Sequence, residues 1–198
     1  MSFRKEEKLN FAKSQLLNLY SWISKNEGIK IYDDRLVSST YFDNETMQMF
    51  KDSEEGTVPR KKIRIRSYDK LEHKIGSSAF EVKRSSVEGR YKTSTKNYEL
   101  EKIFKFGYFD KEYGVLHPKV RVTYLRSYYK VSNVRLTIDK EITYIKLNNQ
   151  NKEINKSDEK DIIVEVKSDD QVSTEYLYKK FSFERVRFSK YCRAVNAL

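Results

Sequence analysis

The segment Lys62-Ile63-Arg64-Ile65-Arg66 limits the fold of this chain more than any other. Side chains two apart on a β-strand share a face, whereas on a helix they point in different directions. As a strand, the segment has three cations on one face and two isoleucines on the other. Further runs keep the same period. Phe80-Glu81-Val82-Lys83 brings Glu81 and Lys83 to one side. Val134-Arg135-Leu136-Thr137-Ile138-Asp139 does so with Arg135, Thr137 and Asp139. Ile162-Ile163-Val164-Glu165-Val166-Lys167 does so with Glu165 and Lys167. Val120 to Arg126 is less regular, because Arg121 and Arg126 fall on opposite faces.

The rest of the chain fits a β-rich reading with a few helices. The 15 tyrosines and 11 phenylalanines suit pleated, half-buried surfaces. The expected strands are 3–8, a strand within Ile29–Asp43, then Lys61–Tyr68, Ala79–Arg84, Lys119–Tyr129, Val134–Tyr144 and Asp161–Lys167. A helix is expected from an Asn10 cap to about Asn26, stopped by Gly28, with Leu9, Ala12, Leu16, Leu19, Tyr20 and Ile23 at helical spacing. A short helix over Tyr98–Phe106, capped by Asn97 and ended by Gly107, and another over Ser173–Lys180 are expected too. The polar stretches Lys51–Pro59 and Lys146–Lys160 read as loops, the second as a mobile one, and Phe188–Cys192 as the closing segment. A length of 198 residues without a linker-like stretch predicts one α+β domain over 1–198.

The net charge of +11 favours a polyanion: nucleic acid, an acidic membrane surface or polyphosphate. A basic surface that merely keeps the protein soluble is the plainer alternative. Like charges on neighbouring strands repel, so Lys62, Arg64 and Arg66 beside Lys83 and Arg135 call for an anion. If the apolar faces lie beneath the helices, the charged faces of a closed barrel line a tunnel. Arginine forks grip phosphate oxygens in pairs and lysines add point charges. Carboxylates among them are oxygen ligands for a divalent metal. Glu165 is such a candidate, or else a salt-bridge partner of Lys83 or Lys167.

Other chemistries find little support. Two histidines and the single Cys192 are too few for a multi-histidine or cysteine zinc centre, and no Walker-type glycine loop occurs. One cysteine suits a reducing compartment. With no apolar leader segment and no membrane-length apolar run, a cytoplasmic location is expected.

Taken in order, several segments resemble the VTC domain, the polyphosphate polymerase module of the vacuolar transporter chaperone complex and its bacterial relatives. These belong to the triphosphate tunnel metalloenzymes of the CYTH-like superfamily. The segments are Arg4-Lys5-Glu6-Glu7-Lys8, Ser39-Thr40-Tyr41-Phe42-Asp43, Arg60 to Tyr68, Phe80 to Lys83, Tyr124-Leu125-Arg126, Arg135 to Asp139, Val164 to Lys167 and Phe188-Ser189-Lys190-Tyr191. Arg4 stands where CYTH enzymes carry the first glutamate of Glu-x-Glu-x-Lys, which favours the VTC branch. The resemblance implies a closed eight-stranded antiparallel barrel. It implies that Lys8, Arg64, Arg66, Lys83, Arg126 and Lys190 contact a triphosphate or a growing chain. Arg187 is a further basic contact, Tyr124 positions phosphates, and Glu165 holds manganese or magnesium. On the charged faces, Lys62, Arg135 and Lys167 join the phosphate-binding set. The expected activity is polyphosphate synthesis from ATP, with Arg64, Arg66, Lys83 and Arg126 as its catalytic cations. A triphosphatase on the same scaffold and a non-catalytic module binding polyphosphate or nucleic acid are the alternatives.

Overall fold

The alternation seen in the sequence becomes β-structure. The computed structural model describes residues 4–68, 78–96, 99–169, 171–173, 175–176, 179 and 183–198. The strands are β1 (Arg4–Ala12), β2 (Ile29–Asp43), β3 (Arg60–Ser67), β4 (Ala79–Ser86), β5 (Gly89–Lys96), β6 (Tyr108–Asp110), β7 (Gly114–Val131), β8 (Val134–Leu147), β9 (Glu153–Asp158) and β10 (Asp161–Asp169). The helices are α1 (Leu16–Lys25), α2 (Gln48–Glu55), α3 (Leu100–Phe106) and α4 (Lys190–Asn196). The fold is α+β and mostly antiparallel. Strands pair in the order β1-β10-β8-β7-β2-β3-β4-β5, with β6 on β7 and β9 on β8. The expected closed barrel of eight strands is therefore corrected. There are ten strands, and among the described residues their order has two ends, because no ladder joins β1 to β5.

The chain divides into two compact units. The first comprises Met1–Arg35, Tyr124–Ile142 and Glu159–Phe188; the second comprises Leu36–Thr123, Thr143–Asp158 and Ser189–Leu198.

In the first unit, β1, β10 and β8 are in register, so that Leu9, Val164 and Ile138 form one row. That row, with Phe11, Ile162, Val166, Leu136 and Val134, packs against Leu19 and Ile23 of α1. One residue along each strand, Lys8, Glu165 and Thr137 form a row on the other face. Burying the apolar row stabilises the unit by roughly 25 cal/mol per Å² removed from water, and it forces the charged row to the opposite side. The helix start expected at Asn10 is corrected, because β1 runs through Ala12. The Asn10 amide instead donates to Asp161 Oδ2 at 2.9 Å, and a 3-10 turn at Lys13–Gln15 leads into α1. Gly28 does follow the helix, and a Cβ there would sit 2.4 Å from Ile23 Cγ2. Only a glycine fits that approach.

In the second unit, β2, β3 and β4 pair antiparallel. Phe42 and Ile63 oppose each other, as do Ile63 and Val82, and Ile65 and Phe80. Phe42 packs on Phe104 of α3 and Phe80 on Tyr108 of β6. Two stretches expected as loops are structured. Within Lys51–Pro59, α2 forms because the Asp43 carboxylate accepts the backbone N–H groups of Met49 and Phe50 at 3.0 and 2.9 Å. Within Lys146–Lys160, β9 pairs with β8, and Thr143 donates to Asp158 at 2.7 Å. Strands β5 and β6 arise where none was expected. Asn97, Tyr98 and much of the Ser173–Lys180 helix lie outside the described residues. The closing segment becomes α4, whose cap Ser189 Oγ accepts the Cys192 N–H at 3.4 Å.

Candidate phosphate-binding site

The charged faces of the two units each gather a cluster. In the second unit, Lys62, Arg64 and Arg66 of β3 lie on one face. Across β4 they meet Lys83, Glu81 and Ala79, and across β2 Arg64 and Arg66 meet Tyr41 and Ser39. Lys83 in turn opposes Lys92 of β5, so three lysines stand in a row across β3, β4 and β5. Arg64 reaches Glu81 Oε2 at 2.6 to 2.7 Å and donates to the Tyr41 hydroxyl at 3.1 Å. Arg66 donates to Ser39 Oγ at 3.0 Å. Lys92 donates to Glu81 Oε1 at 2.5 Å. Burial alone would raise the Glu81 carboxyl, but Arg64, Arg66 and Lys92 hold it down at about 2.

Tyr41 stacks on Tyr191, ring centroids 5.2 Å apart and planes within 22°. The Tyr191 hydroxyl donates to Asp43, the carboxylate that caps α2. Burial pushes the Tyr41 phenol up, yet the charges of Arg64, Arg66 and Lys190 and the Arg64 hydrogen bond bring it down to about 8. Lys62 donates to Ser189 Oγ at 2.8 Å. Burial, with the charges of Lys83 and Arg60, lowers its ammonium against the pull of Cys192 and Tyr41.

In the first unit, Arg126 donates to both oxygens of Asp139 and lies 3.7 Å from Glu165 Oε2. Its guanidinium sits over the Tyr124 ring, 5.2 Å from the centroid. Lys167 bridges two carboxylates, 2.7 Å from Glu165 and 3.7 Å from Glu6. Lys8 donates to the Phe188 carbonyl at 2.6 Å and lies 3.9 Å from Glu6. Arg135 faces Lys167 across β8 and β10. Burial would raise the Glu165 carboxyl. The charges of Lys167 and Arg126, the Lys167 hydrogen bond and the Lys8 charge keep it well below the usual range.

The expected site residues thus fall into two sets. Lys8, Arg126, Glu165 and Lys167 come together, with Tyr124 and Arg135 adjoining them. Lys62, Arg64, Arg66 and Lys83 share one face, and Lys190 acts on Tyr41. Arg187 is exposed. The salt-bridge alternative for Glu165 is realised with Lys167. Sequence reasoning missed Tyr41, Lys92 and Glu6 as site residues. Tyr41 and Glu6 were legible as members of the quoted segments, and Lys92 lies on a strand that polar Arg90–Lys96 conceals.

Among the described residues no group of three or more His, Cys, Asp or Glu side chains could hold a metal ion. Magnesium needs fewer, since one or two carboxylates plus substrate phosphates complete its shell. Glu165 and Glu6, drawn together on Lys167, fit that donor set. Within the first unit, the opposed Arg135 and Lys167 lie on the same face as these carboxylates.

The VTC domain profile matches residues 3–113 and 87–198. This chain belongs to the VTC domain family. No curated protein matches it. The fold of this VTC domain is similar to several solved structures. One is a candidate adenylate cyclase from Vibrio parahaemolyticus, with 15% identity, 99% of each chain covered and a TM-score of 0.56. Another is a candidate adenylate cyclase from Bacillus halodurans, with 16% identity, 95% of this chain and 94% of that one covered, and a TM-score of 0.58. A third is a candidate adenylyl cyclase from Hippeastrum with a dominant triphosphatase activity, at 15% identity, 98% and 96% coverage and a TM-score of 0.57. At such identities the likeness of the VTC domain to these proteins is one of fold. No helix of the described residues is long and apolar enough to cross a membrane.

Proposed function

We propose that this VTC domain is an ATP-dependent polyphosphate polymerase of the triphosphate tunnel metalloenzyme superfamily. The observation that carries the reading is the direct opposition of cations across paired strands: Lys62 to Lys83, and Arg135 to Lys167. Cations gathered on one face raise the local positive potential, and a chain of phosphates presents one negative charge after another to such a face. Membership of the VTC family supports the same reading.

In this reaction an ionised terminal oxygen of a polyphosphate chain attacks the γ-phosphorus of ATP. A new P–O bond forms, the bond to the β-bridging oxygen breaks, and ADP leaves with that electron pair. The acceptor is already an anion, so no side chain has to serve as nucleophile. Transfer of this kind needs alignment and charge neutralisation. The cations assigned to neutralise charge on phosphate oxygens are Arg126 in the first unit and Arg64, Arg66 and Lys83 in the second; Lys8, Arg135, Lys167 and Arg187 in the first unit and Lys62 and Lys190 in the second are assigned to bind further phosphates. Arg126 is held in one orientation by Asp139, so no reorganisation is required during the step. Tyr124 packs against that guanidinium and keeps it in place. Glu165, with Glu6, would hold manganese or magnesium, which supplies Lewis-acid neutralisation of the phosphate oxygens.

The test is to supply ATP with manganese or magnesium and follow chain length on a gel. Ladders of growing chains are expected. Orthophosphate release without chains would favour the second reading, a triphosphatase. The activity of the Hippeastrum protein of like fold supports that alternative.

A further inference from the structure

We propose that Tyr32, Arg35 and Tyr128 form a platform for the nucleobase of the substrate, so that the first unit takes a nucleoside triphosphate in preference to inorganic triphosphate. The inference rests on the phosphate-binding reading above. On β7, Tyr124, Arg126, Tyr128 and Lys130 alternate onto one face. Arg126 is the cation at the Asp139 and Glu165 carboxylates, and Tyr128 stands two residues further, about 7 Å along the strand. Tyr32 meets Tyr128 edge to face, with centroids 5.5 Å apart and planes at 89°. The Arg35 guanidinium lies over both rings, 5.1 and 5.6 Å from their centroids. Tyr32 is 52% exposed, so much of its ring faces water.

An exposed ring beside a flat guanidinium is a surface onto which any base can stack. The neighbours supply the rest of a nucleotide's needs. A cleft of about 240 Å³ in the same unit is lined by Lys130, two residues from Tyr128 and on the same face of β7, and by Arg135 and Lys167. These cations suit phosphates. Asp169, also on the cleft, offers a carboxylate to ribose hydroxyls. A purely inorganic chain would have no use for the two rings. The combination of flat apolar surface, cations and a hydroxyl acceptor is that of one nucleotide.

The experiment is calorimetric titration of the whole chain with ATP, with inorganic tripolyphosphate and with a single-stranded oligonucleotide, each with magnesium. Wild type is expected to bind ATP more tightly than tripolyphosphate. The exposed-site variant Tyr32→Ala should weaken ATP about tenfold, within the range of one base–aromatic stack, and leave tripolyphosphate unchanged. Tyr32→Phe should restore ATP binding. Unchanged ATP affinity in Tyr32→Ala, or an equal loss for both ligands, overturns the platform while leaving the phosphate reading intact. Binding of neither ligand by wild type overturns both. An oligonucleotide that displaces ATP at concentrations below those ADP needs would assign the rings to nucleic acid instead and overturn the proposal.

Discussion

Arg126 grips both carboxylate oxygens of Asp139, at 2.5 and 2.7 Å, and Asp139 is fully buried. The pair sits on the charged face of the first unit, beside Glu165. Without Asp139, the guanidinium would be left with the longer contact to Glu165 and the face of the Tyr124 ring.

Replacing Asp139 with alanine should therefore destabilise the protein by about 3 kcal/mol, the scale for breaking a buried ion pair from one side. Urea unfolding of the variant, monitored by circular dichroism, measures this. A loss below about 0.5 kcal/mol, as for an ordinary surface substitution, would contradict it.

Glu81 links stability to acid pH. Its folded pKa of about 2 lies below the unfolded value of ~4.3. A carboxyl lowered in this way contributes stability that is present above the unfolded pKa and is lost as pH falls from about 4 towards about 2. Glu81→Gln should be less stable than wild type at neutral pH, by on the order of 2 kcal/mol. The two stability curves should converge near pH 2, which paired thermal melts across that range would show.

Tyr41 should titrate below the ordinary tyrosine value of ~10, at about 8. Ultraviolet titration of wild type against Tyr41→Phe isolates its phenolate signal. Substituting Arg64→Met removes a nearby cation and a hydrogen bond, so the Tyr41 transition should move upward. Because the folded pKa is depressed, wild type should also gain stability over Tyr41→Phe as pH rises from about 8 towards ~10.

Glu165→Gln should lower chain synthesis at least about a hundredfold, the scale for removing one group that stabilises transition-state charge. Tripolyphosphate binding should persist, because Lys8, Arg126 and Lys167 remain. Parallel gel and calorimetric measurements check the two halves. Full synthesis by the variant would remove Glu165 from the proposed chemistry.

Sequence alone determined the two faces of the central strands. Ile63 and Ile65 against Lys62, Arg64 and Arg66 can be segregated only by a period of two, and burial of the isoleucines decides which side is wet. The composition, the charged rows and the family resemblance followed from residues adjacent in the chain. Tertiary structure decided the pairings. Whether Glu165 meets Lys83 or Lys167 depends on strand order and register, and β10 carries Lys167 two residues away on the same face. The path of Asn10 into β1 was decided by its ladder to Ile163, which outweighed a local capping preference. Likewise α2 grows from the Asp43 carboxylate and the buried Met49, and β9 from a partner strand in a stretch whose own side chains are almost all polar. Hydrophobic periodicity marks elements that bury apolar surface. It is silent where backbone hydrogen bonds to a neighbour or a cap hold the element, since those bonds form only once the chain has folded.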